Sequence, residues 1–402
     1  MTRTERRVSA SLAGVYALRM FGLFLVLPVL AEHARHLPGG DDPRLVGLAL
    51  GAYGLTQAAL QIPFGIASDR WGRKPVIFAG LVVFALGSLL AAMADSVPTM
   101  IVGRAVQGAG AISAAVSALL ADHTRDHQRT KAMAMVGASI GVSFAVSLVA
   151  APWLYGLIGM GGLFMMTGVL ALAAIGVIRF AVPSSPPGRA PMPGRLAFRR
   201  VLSDPDLHRL NLGIFSLHAV QTAMFVVIPG WLVSRGQLPL AEHWKLYLPV
   251  VLVSFVLMLP PIAWAERRGR LKPVFLSAIV LVAMTQFGLM LRPDGLALVT
   301  GLLLAFFAGF NILEASLPSI VSRLAPAEAK GAALGVYNTA QSIGLFTGGA
   351  AGGVLLRLGG ASAVFVGCGA LLLVWLIVAS RHRRWPSPRG PRPSSGASGA
   401  SA

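Results

Sequence analysis

Three charged side chains stand in stretches where charge is otherwise scarce. Glu314 lies in Phe-Asn-Ile-Leu-Glu-Ala-Ser-Leu, and Arg19 and Arg104 lie in similarly apolar surroundings. A lone carboxyl among hydrocarbon neighbours favours its neutral form, which makes it a group able to take up and release a proton. Asn311, one helical turn earlier, is placed to hydrogen-bond the protonated acid. A permanently neutral acid bonded within a helix bundle is the competing reading. A buried arginine costs about 3 kcal/mol at a membrane-helix centre, so Arg19 is expected to face an acid or a cleft, where it would be a substrate contact. A further charged constellation is the run from Gly65 to Pro75, Gly-Ile-Ala-Ser-Asp-Arg-Trp-Gly-Arg-Lys-Pro, wedged between two apolar stretches. Its carboxylate and three cations, Asp69 with Arg70, Arg73 and Lys74, are costly beside hydrocarbon unless paired, which suggests a latch between moving helices. The histidines and acids show no metal-ligand spacing, and no Gly-x-x-x-x-Gly-Lys-Ser/Thr phosphate loop occurs. Cys368 is the single cysteine, which excludes intrachain disulfides and multi-thiolate metal sites. No cofactor, metal or catalytic residue is expected.

The elements that must position these groups are membrane helices. Over 402 residues the chain is 55% apolar and 12% charged, with positive mean hydropathy, which no ordinary soluble domain matches. Apolar runs of roughly 20 residues, each long enough to cross a hydrocarbon core of about 30 Å, recur about twelve times. They are expected near 9–31, 44–66, 75–94, 98–121, 131–153, 161–182, 208–233, 244–265, 273–291, 295–320, 331–356 and 361–380. The polar, proline-bearing stretch 183–207 divides them six and six, giving an N-terminal bundle over 1–182, a linker over 183–207 and a C-terminal bundle over 208–380. The arginine-, proline-, serine- and glycine-rich tail, 381–402, has too little apolar content to order itself. The fold class is therefore all-α, with two six-helix bundles in the bilayer.

The net charge of +19 invites a nucleic-acid reading, but the cations are sorted by loop instead of clustered on a face. Arg3, Arg6, Arg7, the 65–75 turn, Arg125, Arg129, Lys131, the linker, Arg267, Arg268, Arg270, Lys272, Arg323, Lys330 and the tail fall on one side. Arg35, Arg235, Arg292 and Arg357 fall on the other. By the positive-inside rule the first side is cytoplasmic and holds both termini. The first span follows a basic stretch, yet it is too long for a signal peptide, contains Arg19 and is succeeded by many more spans, so it is expected to be retained.

The halves repeat one another. Ala-Ser-Asp-Arg-Trp-Gly-Arg-Lys-Pro-Val at 67–76 is echoed by Ala-Glu-Arg-Arg-Gly-Arg-Leu-Lys-Pro-Val at 265–274, and Lys131-Ala-Met-Ala corresponds to Lys330-Gly-Ala-Ala. Parallel repeats of this kind enclose a central cleft. With these residues in view, Gly65, Asp69, Arg70, Gly72, Arg73 and Lys74 resemble the G-x-x-x-D-R-x-G-R-K signature of the major facilitator superfamily. The chain is similar to the YajR-type branch of that superfamily through Leu18-Arg19-Met20, Val26-Leu-Pro-Val-Leu30, Tyr53-Gly-Leu-Thr-Gln-Ala, Gln61-Ile-Pro-Phe-Gly, Thr130-Lys-Ala-Met-Ala, Glu242-His-Trp-Lys and Asn311-Ile-Leu-Glu-Ala-Ser. Members of that branch carry a small soluble domain after the last span; the tail here cannot form one.

The resemblance implies transport by alternating access. It implies that Arg73 pairs with Asp122, which ends span four, in a charge relay securing the outward-facing state. It also implies that Asp69 faces the N-terminus of span eleven near Gly331, where a helix dipole favours an anion. Arg104, in Gly103-Arg-Ala-Val-Gln-Gly, resembles the superfamily's second motif, associated with proton coupling; bonding to backbone carbonyls of span one is the structural alternative. Asp122 is a lesser proton candidate, because pairing with Arg73 already accounts for it. Gly137, Gly141 and Ala151-Pro152 partly resemble the antiporter motif, though small residues at these spacings more often serve close helix packing.

Gln57, Gln61, His218, Gln221, Asn338 and Gln341 place polar groups in spans whose counterparts line the cavity, where ligand contact and helix-to-helix bonding explain them equally. Met20, Phe21, Phe24, Met224 and Phe225 could wall a site for lipophilic substrates or pack toward lipid. Glu242 and His243, between spans seven and eight, could respond to pH, since histidine titrates near neutrality, though most such pairs are merely solvated. The expected function is a proton-driven exporter of small amphipathic compounds, acting as a monomer in a bacterial plasma membrane. An importer or uniporter of a small metabolite is the alternative, and a non-transporting membrane sensor the alternative of another class. Partners are a small-molecule substrate, protons and the bilayer.

Overall fold

The computed structural model describes residues 1–183, 199–291, 295–326, 329–382 and 384–385. The linker and tail expectations fall largely outside these. Among the described residues, ten helices are long and apolar enough to cross a membrane. Two of them, Asp126–Ala181 and Lys330–Ser380, run 56 and 51 residues. At 1.5 Å per residue each is more than twice the ~30 Å a bilayer core requires. The first changes direction at Gly159 (φ 64°), the second at Gly359 and Gly360 (φ 68° at Gly360), so each has the length for two crossings, and the ten helices among the described residues accommodate the twelve expected spans. Both turning points fall between spans expected from the sequence.

In chain order, crossing 1 is Arg3–Ala34, 2 Pro43–Trp71, 3 Arg73–Ala92 and 4 Val97–Asp122, with 5 and 6 in Asp126–Ala181. Crossing 7 is Pro205–Ser234, 8 Trp244–Arg268, 9 Leu271–Met290 and 10 Leu296–Leu324, with 11 and 12 in Lys330–Ser380. Local chemistry sets the ends. Asp42-Pro43 and Asp204-Pro205 each put a side-chain acceptor at the N-cap and a proline in the first turn, where its missing N–H costs nothing. Thr2 with Glu5, and Ser96 with Thr99, close reciprocal caps. Between crossings 2 and 3 the chain reverses at Gly72, whose φ of 93° is open to glycine and strained for other residues.

Two crossings are broken where the sequence reading drew continuous spans. Crossing 1 splits into Arg3–Phe24 and Leu27–Ala34 ahead of Pro28, and crossing 4 into Val97–Ala109 and Ser113–Asp122. The second break strands backbone groups inside the bundle, and side chains of crossing 1 meet them. Tyr16 donates to the Ser113 carbonyl at 2.7 Å and Arg19 to the Gly110 carbonyl at 3.4 Å.

The face carrying the 65–75 turn is here the basic face, the other the opposite face. The halves touch closely near the opposite face. A Cβ at Gly47 would meet the Gly349 carbonyl; at Gly51 it would lie 2.7 Å from the Phe346 carbonyl and at Gly54 2.5 Å from that of Ser342. Absent side chains thus let crossings 2 and 11 approach backbone to backbone. Near the basic face, Gly137 and Gly141 of crossing 5 and Gly331 and Gly335 of crossing 11 look onto open space. Close packing is therefore not the role of Gly137 and Gly141 in this arrangement. The bundle is shut at one face and parted at the other.

Candidate functional site

At the basic face the signature residues form a clasp within the first half. The Arg73 guanidinium is gathered by three oxygens: it donates through Nη1 to Asp69 and to Ser68 Oγ (2.9 Å), and through Nε to Asp122 Oδ2 (3.2 Å). Ser68, which the sequence reading passed over, donates in turn to the Gly65 carbonyl at 2.8 Å. Lys74 Nζ donates to the Val182 carbonyl at 2.5 Å, so the third cation of the run caps the end of crossing 6. Gly65 leaves a Cβ-sized space 3.4 Å from Ala114 of crossing 4, and Arg70 is exposed.

One expectation is not met. Asp69 pairs with Arg73 and not with the start of crossing 11, where nothing lies within 4 Å of the Cβ position of Gly331. The second half carries the corresponding clasp with its charges exchanged: Glu266, near the end of crossing 8, accepts from Arg323, near the end of crossing 10, at 3.1 Å. Both clasps brace a half internally.

Deeper in the first half, Arg19 and Arg104 are each 1% exposed. Arg19 faces no acid: it donates to Tyr53 Oη at 2.6 Å and Ser113 Oγ at 3.0 Å, and lies 5.8 Å from the Phe84 ring centroid. Arg104 donates to Gln107 Oε1 at 2.5 Å, not to carbonyls of crossing 1, and lies 5.1 Å over the Tyr53 ring. Ring faces and neutral oxygens replace the carboxylate as partners, a geometry in which desolvated cations gain about 2 kcal/mol per ring. Arg19→Leu strands the Tyr53 hydroxyl and the broken turn of crossing 4. It is expected to cost about 1–3 kcal/mol, seen as a lower unfolding midpoint in detergent.

In the second half, Glu314 is 29% exposed, and its Oε2 finds no hydrogen-bond partner in the protein. The nearest base is His218, with Nε2 at 3.9 Å. Both ring nitrogens of His218 are engaged: Nδ1 donates to the Ile214 carbonyl at 3.3 Å, and Nε2 accepts from the Gln341 amide at 2.8 Å. Asn311 is committed elsewhere, donating to Ser254 Oγ at 3.0 Å, so it does not hold the Glu314 carboxyl. The buried amides of Gln57, Gln61 and Gln221 each leave an oxygen without a protein partner, and Gln61 leaves its nitrogen as well. Asn338 is half-buried and accepts on its carbonyl from Ser342. The buried hydroxyl of Tyr337, which the sequence reading also missed, is unpartnered too.

An aromatic bridge joins the halves at mid-depth. Phe144 of crossing 5 stacks edge-on against Phe24 of crossing 1 (centroids 5.1 Å) and lies 6.2 and 5.8 Å from Phe307 and Phe310 of crossing 10; Phe310 meets the His218 ring at 5.9 Å. Glu314 follows Phe310 by one turn toward the basic face, so the rings lie between it and the opposite face. Met20, Phe24, Met224 and Phe225 are buried and do not face lipid.

Nearer the opposite face, Asp42 before crossing 2 accepts from Arg44 through both oxygens (2.7–3.1 Å) and stands 3.6 Å from Arg357, beyond the glycine contacts on crossing 11. Hydrogen bonds from the Arg44 side chain, then its backbone N–H, hold the Asp42 carboxyl down to about 2, with Arg357 adding a smaller pull. Its contribution is complete above the ordinary carboxylate range and fades only as pH falls through about 2, so this contact is no physiological pH sensor. Glu242 pairs with Lys245 at 2.7 Å while His243 is buried, so those two are not a solvated pair. Beyond crossing 12, Arg384 reaches Asp204 and Asp206 at the start of crossing 7 and Trp385 packs on Phe275, so the first tail residues are docked.

Against known proteins, the family model described as Major Facilitator Superfamily matches residues 12–263 and 245–401. The chain is 44% identical over 390 residues to the inner membrane transport protein YajR of Escherichia coli K12, covering 96% of this chain and 85% of that one. It is 26% identical to the multidrug resistance protein MdtH of Aeromonas hydrophila, covering 84% of each. Among solved structures, a bacterial homolog of the human lysosomal transporter Spinster, in an inward-facing and occupied conformation, superposes with a TM-score of 0.75 at 14% identity. It covers 96% of this chain and 99% of that one, a likeness of fold alone. YajR is named a transport protein, not an enzyme, so a multi-pass membrane transporter acting on a small molecule is what the helices, the repeat and the family match support together. The chain belongs to the Major Facilitator Superfamily.

Proposed function

We propose that this transporter is a proton-coupled exporter of small amphipathic compounds in a bacterial inner membrane, with its basic face and both termini in the cytoplasm. The observation that carries the reading is Glu314. Among the described acids it alone lies far from any helix end, on the parted side of the aromatic bridge and with no hydrogen-bond partner in the protein for its Oε2. In that position it can exchange a proton with the cytoplasm in this state and lose that contact when the basic face closes. Polar atoms of Gln57, Gln61 and Gln221 together with aromatic surface suit a molecule with an apolar body and a few polar groups. The similarity to MdtH, a multidrug resistance protein, supports the export direction.

Moving one charge through 100 mV supplies about 2.3 kcal/mol, which shifts a two-state equilibrium roughly fiftyfold. A proton gradient therefore suffices to drive the exchange, and no cofactor is required. Closing the basic face brings the start of crossing 11 to Asp69, which then exchanges Arg73 for the helix end while Arg73 keeps Asp122. Asp122→Asn is accordingly expected to loosen the outward-facing state, raising the labelling of cysteines introduced near the basic-face cleft. Unaltered labelling would remove this pair from the gate.

Flux into substrate-free vesicles with an acidic lumen tests the function. An antiporter accumulates substrate against the outward proton flow and stops when a protonophore is added. A uniporter ignores the protonophore, and a sensor binds ligand with no flux.

A further inference from the structure

A cavity of about 530 Å³ belongs to none of the groups above. It is a groove between crossing 5, through Ala145, Val149, Ala150 and Trp153, and crossing 8, through Trp244 and Val251, and every residue lining it is apolar. Its two walls come from opposite halves of the transporter. It opens sideways, not into the central cleft: Val146, Trp153 and Leu252 along its rim are roughly half exposed on the bundle's outer surface. Ala145 and Ala150 make the room, since larger side chains there would fill it.

Depth identifies the occupant. The wall on crossing 5 runs from Ala145 to Trp153 and that on crossing 8 from Trp244 to Leu252, nine residues each, or eight rises and about 12 Å along a helix. That is close to the share of one leaflet in a hydrocarbon core of about 30 Å. Both tryptophans stand where crossing 5 nears Gly159 and crossing 8 begins, the level at which indoles sit among headgroups. We infer that the groove between crossings 5 and 8 binds one acyl chain of a phospholipid from the leaflet at the opposite face, as a wedge between the two halves. A transported amphipathic compound fits less well, because the groove offers nothing to its polar part and burying that part unpaired is costly. Lys245, the cation beside Trp244, is committed to Glu242 at 2.7 Å, so the site selects a chain and not a headgroup charge.

Because the walls belong to different halves, their spacing changes when the halves rock. A bound chain favours the state in which this groove exists, the one shut at the opposite face. This inference is independent of proton coupling and of the substrate.

The test is native mass spectrometry of the full chain, reconstituted in palmitoyl-oleoyl phosphatidylcholine and released into a mild detergent. One phospholipid is expected to stay with each wild-type chain. Ala150→Trp fills the groove from crossing 5 and Val251→Trp from crossing 8; each burial of a methylene is worth about fourfold in affinity, so either indole should lower retention by more than about tenfold. Leu86→Trp, on a lipid-facing position of crossing 3, should leave retention unchanged. Circular dichroism and gel filtration establish that each variant is folded, and two variants on opposite walls guard against one failing. Equal retention in wild type and both groove variants would overturn the inference, as would equal loss from Leu86→Trp. Retention that follows headgroup charge when phosphatidylglycerol is substituted, and not chain length when short-chain lipids are used, would also overturn it.

Discussion

Glu314→Gln is expected to abolish gradient-driven accumulation while leaving exchange of substrate across the membrane measurable. The amide is close in shape to the carboxyl, so the bundle around His218 and Gln341 should stay packed, but it cannot bind and release the coupling proton. With a tenfold proton gradient, worth about 1.4 kcal/mol, wild-type vesicles exchanging one proton per substrate approach a tenfold substrate gradient, and the variant should approach none. Counterflow of labelled against unlabelled substrate needs only alternation of the loaded carrier, and should persist. Full coupling in the variant would take the proton role from Glu314. Loss of counterflow together with accumulation would make the carboxylate part of the substrate site instead.

The second large effect is expected from Gly51→Leu, which places a side chain where the Phe346 carbonyl of crossing 11 lies 2.7 Å from the Cβ position. The closest approach of the two halves depends on glycine, and backbone cannot yield as a flexible side chain can. Overpacking of this kind typically costs 1–3 kcal/mol, about 5- to 150-fold in the population of the state it disfavours. The variant should therefore favour the state open at the opposite face, with turnover lowered by a comparable factor. Its fold should survive, because neither half is disturbed internally. Normal turnover would mean that the glycine contact is not needed for closure. A companion change, Gly331→Leu, faces open space in this arrangement and should burden the other state instead.

The crossings were legible because a bilayer leaves little choice: only apolar helices of sufficient length satisfy their backbone within it. The turning points at Gly159 and Gly359–Gly360 were legible for the same reason, since length alone forces a reversal. The breaks in crossings 1 and 4 were not, because they depend on which side chains arrive to satisfy the stranded backbone, and Arg19 and Tyr16 come from far away in the chain. Asp122 stood out beside Arg73 because both sit at helix ends of equal depth. The partner of Asp69 did not, because it depends on which face is open, and a sequence describes every state at once. The partners of Arg19 eluded a reading that looked for a carboxylate, since hydroxyls and aromatic faces can satisfy a buried guanidinium. Phe144, Phe307 and Phe310 gave no signal, because a phenylalanine in an apolar span looks alike whether it faces lipid or the other half.

Two rigid halves that exchange which face is shut are the centre of this account, and spin-label distances test them most directly. One labelled pair would bridge the basic face between positions 141 and 335, and another the opposite face between positions 36 and 235, in a background lacking Cys368. With substrate and pH as variables, the first distance should lengthen whenever the second shortens. Distances that stay fixed under every condition, or that lengthen together, would contradict it.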